Sequence, residues 1–286
     1  MTAPPSTPPA SGRGVRSALA EAAADIAAIS QTPRLDAELL MAHALGMSRE
    51  ALLLSHLDAP EPAAFAPLLA RRLRHEPIAY IAGTRAFWTI ELAVGPGVLV
   101  PRADSETLLE AAVDHFRKRP PATILDLGTG PGTLLLAALD HWPEAHGLGI
   151  DSSEKALDYA EMNAIDLEMD ERARFELGDW ATGLAGQFDL ILTNPPYIST
   201  TETLPEEVRA HEPDVALFAG PDGLADYRII APQLRALLAP DGAAILEIGS
   251  TQAAPVTALL EAEGLAVTLR HDLGGNPRAL IAMRRT

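Results

Sequence analysis

Apolar residues recur in two different rhythms along the chain. Up to about residue 75 they return every three or four positions, in the segments SALAEAAADIAAI (17–29), LDAELLMAHAL (35–45), REALLLSHL (49–57) and AAFAPLLARRL (63–73). This spacing puts the apolar side chains on one face of a helix. Pro33, Gly46 and the pair Pro60 and Pro62 interrupt the pattern. The first part of the chain is therefore predicted to be a small bundle of short helices.

A short stretch with the rhythm of a strand comes next. Pro77 is expected to end the last helix, and apolar residues then alternate at Ile90, Leu92 and Val94. This is the period of a half-buried strand. With a turn at 95–97 and a return strand at 98–101, the pattern predicts a β-hairpin.

From about residue 103 onward, helical and extended patterns alternate. A helix is predicted over 104–117, with Asp104 as its N-cap. Short apolar strands are predicted at 123–127, 147–150, 174–177, 188–193, 243–248, 266–270 and 278–283. Alternating helices and near-continuous apolar strands are typical of a parallel sheet that is covered on both faces.

These patterns divide the chain into four parts. Residues 1–13 are rich in Pro, Ser and Thr and are predicted to form a disordered tail. The helical domain is predicted over 14–84, the β-hairpin linker over 85–103 and the α/β domain over 104–286. In open α/β sheets, ligands bind beyond the carboxyl ends of the strands.

Composition and charge narrow the function classes. The chain has no cysteine, which excludes disulfides and thiolate chemistry, and its eight histidines are scattered, so no metal is expected. A net charge of -17 argues against nucleic-acid binding. The local basic group Arg71, Arg72, Arg74 and His75 is interpreted as the solvated end of a helix. Neither a membrane-spanning run nor a signal peptide is apparent, so a cytoplasmic protein is expected.

The first predicted strand of the α/β domain runs into a glycine-rich loop. The loop comprises Gly128, Thr129, Gly130, Pro131 and Gly132. Its spacing is GxGxG, with an acid two residues before the first glycine, which is the form that binds S-adenosylmethionine (SAM) rather than a dinucleotide. A tight turn without any ligand explains the glycines equally well, so the neighbouring strand ends must decide.

The next two strand ends carry groups that suit the rest of SAM. Asp151 can accept hydrogen bonds from ribose hydroxyls, although a helix cap is an alternative role. Trp180 can cover an adenine face and Asp179 can accept from its amine, although an ordinary buried Trp is also possible. Three consecutive strand ends with the required groups are more specific than any one alone.

The fourth predicted strand runs into Asn194, Pro195, Pro196 and Tyr197. The Asn194 side-chain oxygen and the Pro195 carbonyl can accept both hydrogens of one NH2 group, and Asn194 is also expected to contact SAM. Fixed acceptors favour positive charge that builds on the nitrogen as a methyl group arrives. Tyr197 can pack on a planar substrate group or face the sulfonium. These residues predict methyl transfer to a planar amide or amine nitrogen.

Several blocks together resemble the peptide-chain release factor glutamine methyltransferases, the PrmC/HemK family. They are the NPPY and DLGTGPG motifs, RLDAELLMAHALG (34–46), EPIAYIAGTRAFW (76–88), LVPRADSETLLE (99–110), HEPDVALFAGPDGL (211–224), LEIGSTQ (246–252) and DLGGNPR (272–278). The resemblance implies a Rossmann-like SAM-dependent methyltransferase sheet with an N-terminal helical domain that grips the protein substrate.

The resemblance also implies a specific reaction. SAM would be converted to S-adenosylhomocysteine while the N5 nitrogen of the glutamine in the GGQ motif of class I release factors is methylated. The glycine loop, Asp151 and Trp180 would hold SAM, and 194–197 would hold the glutamine. Pro131, Thr133, Ala103 and Ser105 depart from the family's usual residues, and Ser105 keeps the hydroxyl of the usual threonine.

Other functions remain open at this stage. The closest alternative is methylation of a ribosomal-protein glutamine, which shares the NPPY motif. Adenine N6-methylation of nucleic acid would need a basic surface, which the charge of -17 does not favour. A module that binds SAM or a nucleotide without catalysis, and an NAD-dependent oxidoreductase, fit the residues less well. Oligomeric state is not predicted.

Overall fold

The computed structural model describes residues 12–285. Most of the segment predicted as a tail, 1–13, lies outside the described residues. Arg13 is described, and its guanidinium forms an ion pair with Glu61 at 2.8 Å. No helix among residues 12–285 is long and apolar enough to cross a membrane.

The helices account for all four helical segments predicted near the N-terminus. In chain order they are α1 (Val15–Ile26), α2 (Pro33–Leu45), α3 (Arg49–Ser55), α4 (Phe65–Arg72), α5 (Ile78–Ala82), α6 (Glu106–His115), α7 (Thr133–His141), α8 (Glu154–Asp166), α9 (Glu206–His211), α10 (Ala225–Leu237) and α11 (Ala253–Ala262). The sequence did not predict α5. Pro77 stands at its N-cap instead of only ending the preceding helix, because proline is tolerated where the first N–H groups of a helix have no partner.

All seven strands predicted in the α/β domain are confirmed. The strands are β1 (Thr84–Phe87), β2 (Ile90–Ala93), β3 (Thr123–Leu127), β4 (His146–Asp151), β5 (Ala173–Leu177), β6 (Phe188–Thr193), β7 (Leu238–Glu247), β8 (Leu265–His271) and β9 (Pro277–Arg284). The last seven form one sheet in the order β5-β4-β3-β6-β7-β9-β8. Its inner strands are almost entirely apolar, and helices flank it. This is the Rossmann-like arrangement that the sequence predicted.

The prediction of a wholly parallel sheet is wrong at one edge. Strands β3 to β7 pair in parallel, but β9 is antiparallel to both β7 and β8. The reason is the short connection after β8, because a turn of a few residues joins antiparallel strands whereas a parallel crossover needs a dozen residues or more. Strand β9 lies between β7 and β8 in the sheet.

The β-hairpin that joins the helical part to the α/β part also differs from the prediction. Its strands β1 and β2 pair from Thr84 with Ala93 to Phe87 with Ile90, so the turn is at 88–89 and not at 95–97. Trp88 adopts a left-handed φ of 54° there, as tight hairpin turns require. The alternation at Ile90 and Leu92 was correctly identified as a strand, but its partner precedes it.

Contacts divide the chain into two compact units. One consists of the chain up to Gly83 together with Pro205–His211, and the other of Thr84–Leu204 together with the chain from Glu212 onward. The first unit has a core formed by α1, α2, α3 and Phe65. Arg72, interpreted from the sequence as solvated, is buried there. Its guanidinium contacts Asp36 at 2.9 Å and Glu207 at 2.8 Å.

The helix predicted from Asp104 begins later than expected. A short 3-10 turn covers Ala103–Ser105, and α6 follows from Glu106. The Asp104 carboxylate does not cap the helix. It contacts the Arg278 guanidinium on β9 at 3.1 Å instead, because the ion pair with a partly buried arginine competes with capping for the same oxygens.

Candidate functional site

A cavity of about 310 Å³ lies at the carboxyl ends of β3 to β6 within the larger unit. Each of the four strands is followed by a loop that contributes to the cavity wall, as expected for a parallel sheet. The predicted site residues that line it are Gly128, Thr129, Gly130, Pro131, Asp151, Asp179, Trp180, Asn194 and Pro196. The cavity therefore brings the glycine loop and the NPPY segment together.

The glycine loop turns back tightly over the end of β4. The backbone N–H groups of Gly128 and Thr129 both donate to the Ile150 carbonyl, at 2.8 and 3.0 Å. Gly128 has a φ of 72°, and a Cβ there would lie 3.1 Å from the Trp180 ring. Only glycine fits this position without strain, because it combines a left-handed backbone with close contact. The absence of a side chain at Gly128 thus lets the backbone of the loop pass close to the Trp180 indole.

Asp126, at the end of β3, is a buried acid in the cavity wall. Its Oδ2 accepts hydrogen bonds from the Thr129 hydroxyl at 2.7 Å and the Leu135 N–H at 3.3 Å. Its Oδ1 is buried and has no hydrogen-bond partner among the described residues. Burial raises the pKa of Asp126 to about 7. Since an unpaired buried oxygen is costly, the arrangement suits a ligand that brings its own donors.

Asp151, at the end of β4, ties the glycine loop to the start of α8. Its Oδ2 accepts from the Gly130 N–H at 2.8 Å and its Oδ1 from the Ser153 N–H at 2.9 Å. Ser153, and not Asp151, caps α8 through the Ala156 N–H. Burial raises the pKa of Asp151, while these N–H donors act in the opposite direction. A carboxylate has about four acceptor positions, so Asp151 retains capacity for a ligand's hydroxyls.

Trp180 follows β5 in an unusual backbone conformation. Its φ is 51°, a region that few residues other than glycine adopt and that is enriched at functional sites. The indole is half-buried, and the Asp226 carboxyl of α10 lines the same cavity. Burial raises the pKa of Asp226, and the neighbouring Trp180 indole opposes the rise. Asp179 beside it is exposed at the cavity.

Asn194 lies where β6 ends and is held by its amide nitrogen. Its Nδ2 donates to the Ser105 hydroxyl oxygen at 3.2 Å. Ser105 is only 3% exposed and lines the same cavity. Because Nδ2 is engaged in this way, the Oδ1 acceptor is the free end of the side chain. The site thus presents an acceptor close to the glycine loop.

Three predicted residues are not part of the cavity wall. Gly132 precedes α7 with a φ of 83°, and Pro195 lies between two lining residues without lining the cavity itself. Tyr197 turns the other way. Its hydroxyl donates to Oε1 of Glu247 at 3.3 Å, and burial raises the pKa of Tyr197 above its usual range.

Sequence reasoning missed Ser105, Asp226 and Glu247. Glu247 ends β7 and is 1% exposed, and burial raises its pKa to about 7. The signal for Glu247 was an acid at the end of an otherwise apolar strand. Ser105 and Asp226 lie in segments with a helical pattern and have polar neighbours in the sequence. No local feature distinguishes them from residues on the surface of a helix.

The chain is similar to proteins of known families over most of its length. A family model described as the PrmC N-terminal domain matches residues 17–83, and one described as a methyltransferase domain matches 118–264. The release factor glutamine methyltransferase of Rhodospirillum rubrum is 46% identical over 89% of this chain and 80% of that protein. The one of Caulobacter vibrioides is 42% identical over 88% and 90%.

Solved structures show the same fold. The crystal structure of the hMettl16 catalytic domain in complex with MAT2A 3'UTR hairpin 6 superposes with a TM-score of 0.53. The match covers 68% of this chain and 76% of that chain at 14% identity. At this level of identity the likeness concerns the arrangement of the sheet and its helices.

Proposed function

The chain belongs to the release factor glutamine methyltransferase family, and from this membership we propose that it methylates the side-chain amide nitrogen, N5, of the glutamine in the GGQ motif of class I release factors. The observation that carries the proposal is the anchored Asn194. Its Nδ2 is held by Ser105, so its oxygen is available to a substrate NH2 group in the cavity that the glycine loop lines.

SAM is proposed as the methyl donor, and the residues present fit it. The unpaired Oδ1 of Asp126 suits the ammonium group of its methionine part. Asp151 has acceptor capacity for the ribose hydroxyls, and Trp180 and Asp179, which line the same cavity, are proposed to contact the adenine. When bound, SAM supplies an electrophilic methyl group on a sulfonium. The groups expected from the sequence to hold it share one cavity wall.

The protein's own contribution is to orient a weak nucleophile. An amide nitrogen reacts poorly because its lone pair is delocalised into the carbonyl. The Asn194 oxygen accepts one hydrogen of the glutamine NH2 group and stabilises positive charge on the nitrogen as it is methylated. Fixing the NH2 group in line also reduces the entropy cost of the encounter. The second acceptor, the Pro195 carbonyl, stays a prediction.

The experiment that tests the proposal identifies acceptor and residue together. Purified class I release factors and ribosomal proteins are incubated with the enzyme and isotope-labelled SAM, and the products are mapped by tandem mass spectrometry. We expect one methyl group on the glutamine of GGQ. Release factors in which that glutamine is replaced serve as the matched control and should stay unlabelled.

Two outcomes would overturn the proposal. Label on a ribosomal-protein glutamine, with release factors unlabelled, would assign the sister activity. Label on adenine of an added oligonucleotide would assign nucleic-acid methylation, against the net charge of -17.

A further inference from the structure

Asn163 is a buried residue of α8 whose side chain contacts two separate parts of the chain. It is 1% exposed. Its Oδ1 accepts from the Ala93 N–H at 2.7 Å, and its Nδ2 donates to the Ala93 carbonyl at 3.1 Å. The same Nδ2 donates to the Pro131 carbonyl at 2.9 Å. One side chain therefore ties the end of β2 to the glycine loop.

The partners of Asn163 fix the orientation of its amide. An N–H group requires the amide oxygen, and the two carbonyls require the NH2 group. Half a turn of the side chain would oppose donor to donor and acceptor to acceptor. Because buried polar groups without partners are costly, the three hydrogen bonds hold β2, α8 and the glycine loop in one arrangement.

The segment 94–102, which we call the strap, follows Ala93 and forms part of the cavity wall. Its residues that line the cavity are Gly97, Val98, Leu99, Pro101 and Arg102. The glycine loop lines the cavity through 128–131. Asn163 thus connects two parts of one cavity wall, although it does not itself line the cavity.

The strap lies closely on α8. A Cβ built at Gly95 would lie 2.3 Å from the Tyr159 hydroxyl oxygen, and one built at Gly97 would lie 2.7 Å from the Lys155 side chain. Lys155, Tyr159 and Asn163 follow one another at intervals of four residues, so they share one face of the helix. This face of α8 therefore supports the strap from its first residues to the cavity.

We propose that Asn163 is a positioning residue for the methyl donor, which holds the strap and the glycine loop at the separation that SAM requires. The inference rests on the proposed function, because it concerns the donor assigned there. Asn163 lies outside the cavity wall and acts through the Pro131 carbonyl and through the strap. Its loss should weaken binding of the donor and leave the chemical step intact.

The first test replaces Asn163 and measures binding of S-adenosylhomocysteine by calorimetry. Asn163→Leu has a similar volume and none of the hydrogen bonds, whereas Asn163→Asp keeps only the acceptor for the Ala93 N–H. We expect Kd to rise about 10-fold in both variants, since buried carbonyls lose their donor. At saturating SAM, kcat on a release factor should stay within about threefold, because the lost interaction concerns binding alone.

A matched control separates positioning from a merely structural role. Val256→Ala on α11 shortens a side chain that is 0% exposed, so it should lower the temperature of thermal unfolding. The Kd for S-adenosylhomocysteine should stay at the wild-type value in this variant, because Val256 contacts neither the strap nor the glycine loop through a hydrogen bond and does not line the cavity.

Gly95 offers a second test that leaves Asn163 in place. Its backbone lies outside the left-handed region, so alanine adds only a methyl group close to the Tyr159 hydroxyl. Gly95→Ala should displace the strap and raise Kd for S-adenosylhomocysteine about 10-fold. Combination with Tyr159→Phe, which removes the oxygen that the methyl group meets, should recover most of the affinity. Gly14→Ala is the control, since a Cβ there would make an ordinary contact of 3.7 Å with the Ala59 carbonyl oxygen.

The outcomes distinguish this inference from the proposed function. Wild-type affinity in the Asn163 variants and in Gly95→Ala would overturn the positioning role while methylation of release factors stands. An equal rise of Kd in Val256→Ala would overturn it too, because binding would then follow stability alone. If the Asn163 variants do not fold, Gly95→Ala and its double variant decide the question. If the wild-type protein binds no S-adenosylhomocysteine, SAM is overturned as the donor and the positioning role with it.

Discussion

Two buried carboxyls, Asp126 and Glu247, have pKa values of about 7 for the same reason, which is burial. Their surroundings give them different tasks. Asp126 lines the cavity, whereas Glu247 lies outside the cavity wall and accepts a hydrogen bond from the Tyr197 hydroxyl. Each carboxyl keeps one oxygen without a hydrogen-bond partner among the described residues. A change in pH near neutrality should therefore affect ligand binding through Asp126, which lines the cavity.

The affinity for SAM should increase with pH through about 7. Below that pH, Asp126 is protonated and cannot form an ion pair with the ammonium group of SAM. Protonation of one such group weakens binding by at most about tenfold for each pH unit below its pKa. Calorimetry between pH 5.5 and 8.5 should show this slope. Asp126→Asn should bind weakly with a flatter profile, and an unchanged slope in that variant would show that another group is responsible.

Removal of the Asn194 amide should mainly affect turnover. Asn194→Ala deletes one preorganised acceptor, so kcat on a release factor should fall by about 10²–10³-fold. The affinity for SAM should change far less, because Asp126 and Asp151 remain. Steady-state kinetics and calorimetry on the same preparation check both statements. Wild-type turnover in Asn194→Ala would contradict the role of the amide.

At the scale of single residues, the sequence predicted those site residues that have a local signal. The glycine loop and 194–197 stand out because the spacing of glycines and the paired prolines are unusual in themselves. Ser105 could not be found in this way, since its partner Asn194 lies 89 positions away in the chain. Asp104 was assigned wrongly because its ion-pair partner Arg278 lies even farther away in the chain.

At the scale of elements, the loop that carries Tyr197 is fixed by one buried side chain. Nε2 of Gln252 donates to the carbonyls of Tyr197 and Gly223, at 2.9 and 3.0 Å. Its Oε1 accepts from the Gly249 N–H at 3.0 Å. Gln252 is 8% exposed, so these hydrogen bonds are shielded from water. The loop after β6 is thus held to the loop after β7.

Gly223→Ala should displace this loop. Gly223 has a φ of 70°, and a Cβ there would lie 2.4 Å from the Tyr197 carbonyl oxygen. The left-handed backbone alone costs an alanine about 1–2 kcal/mol, and the clash adds to it. We expect lower thermal stability and reduced kcat, measured by calorimetric unfolding and steady-state assay.

Gly183→Ala is the matched control, since Gly183 has a φ of 79° but an open position with nothing within 4 Å. It should lose stability while it keeps turnover. Equal kcat in the two alanine variants would show that the contact with Tyr197 does not matter for activity.

Strands were easier to predict than their partners. Strands β3 and β6 were located to the residue, because buried parallel strands are short apolar runs between clear breaks. The pairing of β1 with β2 and the antiparallel direction of β9 were not predicted. Both depend on where the chain makes a tight turn, and no feature of the sequence indicates that Trp88 adopts a left-handed backbone conformation.

At the scale of the whole molecule, the smaller unit is discontinuous in the chain. Arg72 contributes to its integrity, because its guanidinium contacts Asp36 of α2 and Glu207 of α9. It also donates to the Glu76 carbonyl at 3.2 Å. These segments are brought together by a side chain that is 3% exposed.

Arg72→Met should destabilise this unit. Removal of Arg72 leaves the buried carboxylate of Asp36 without its ion-pair partner, and the loss of one partner of a buried pair typically costs about 3–5 kcal/mol. Hydrogen exchange should localise the loss of protection to 12–83 and 205–211, and thermal unfolding should measure its size. Arg16→Met is the control. Arg16 and its partner Asp58 have side chains that are 65% and 92% exposed, so its loss should be less than about 1 kcal/mol.

The position of β9 constrains how the sheet is completed. Because β9 separates β8 from β7, β8 joins the sheet only through β9, either after that strand or together with it as a hairpin. That hairpin carries Arg278, whose positive charge favours the ionised Glu247. Pairing of β9 with β7 therefore covers the hydrogen-bonding edge of β7, which would otherwise be open to aggregation, and brings a cation close to Glu247. One strand thus protects an exposed edge and supplies the charge that favours an ionised acid in the core.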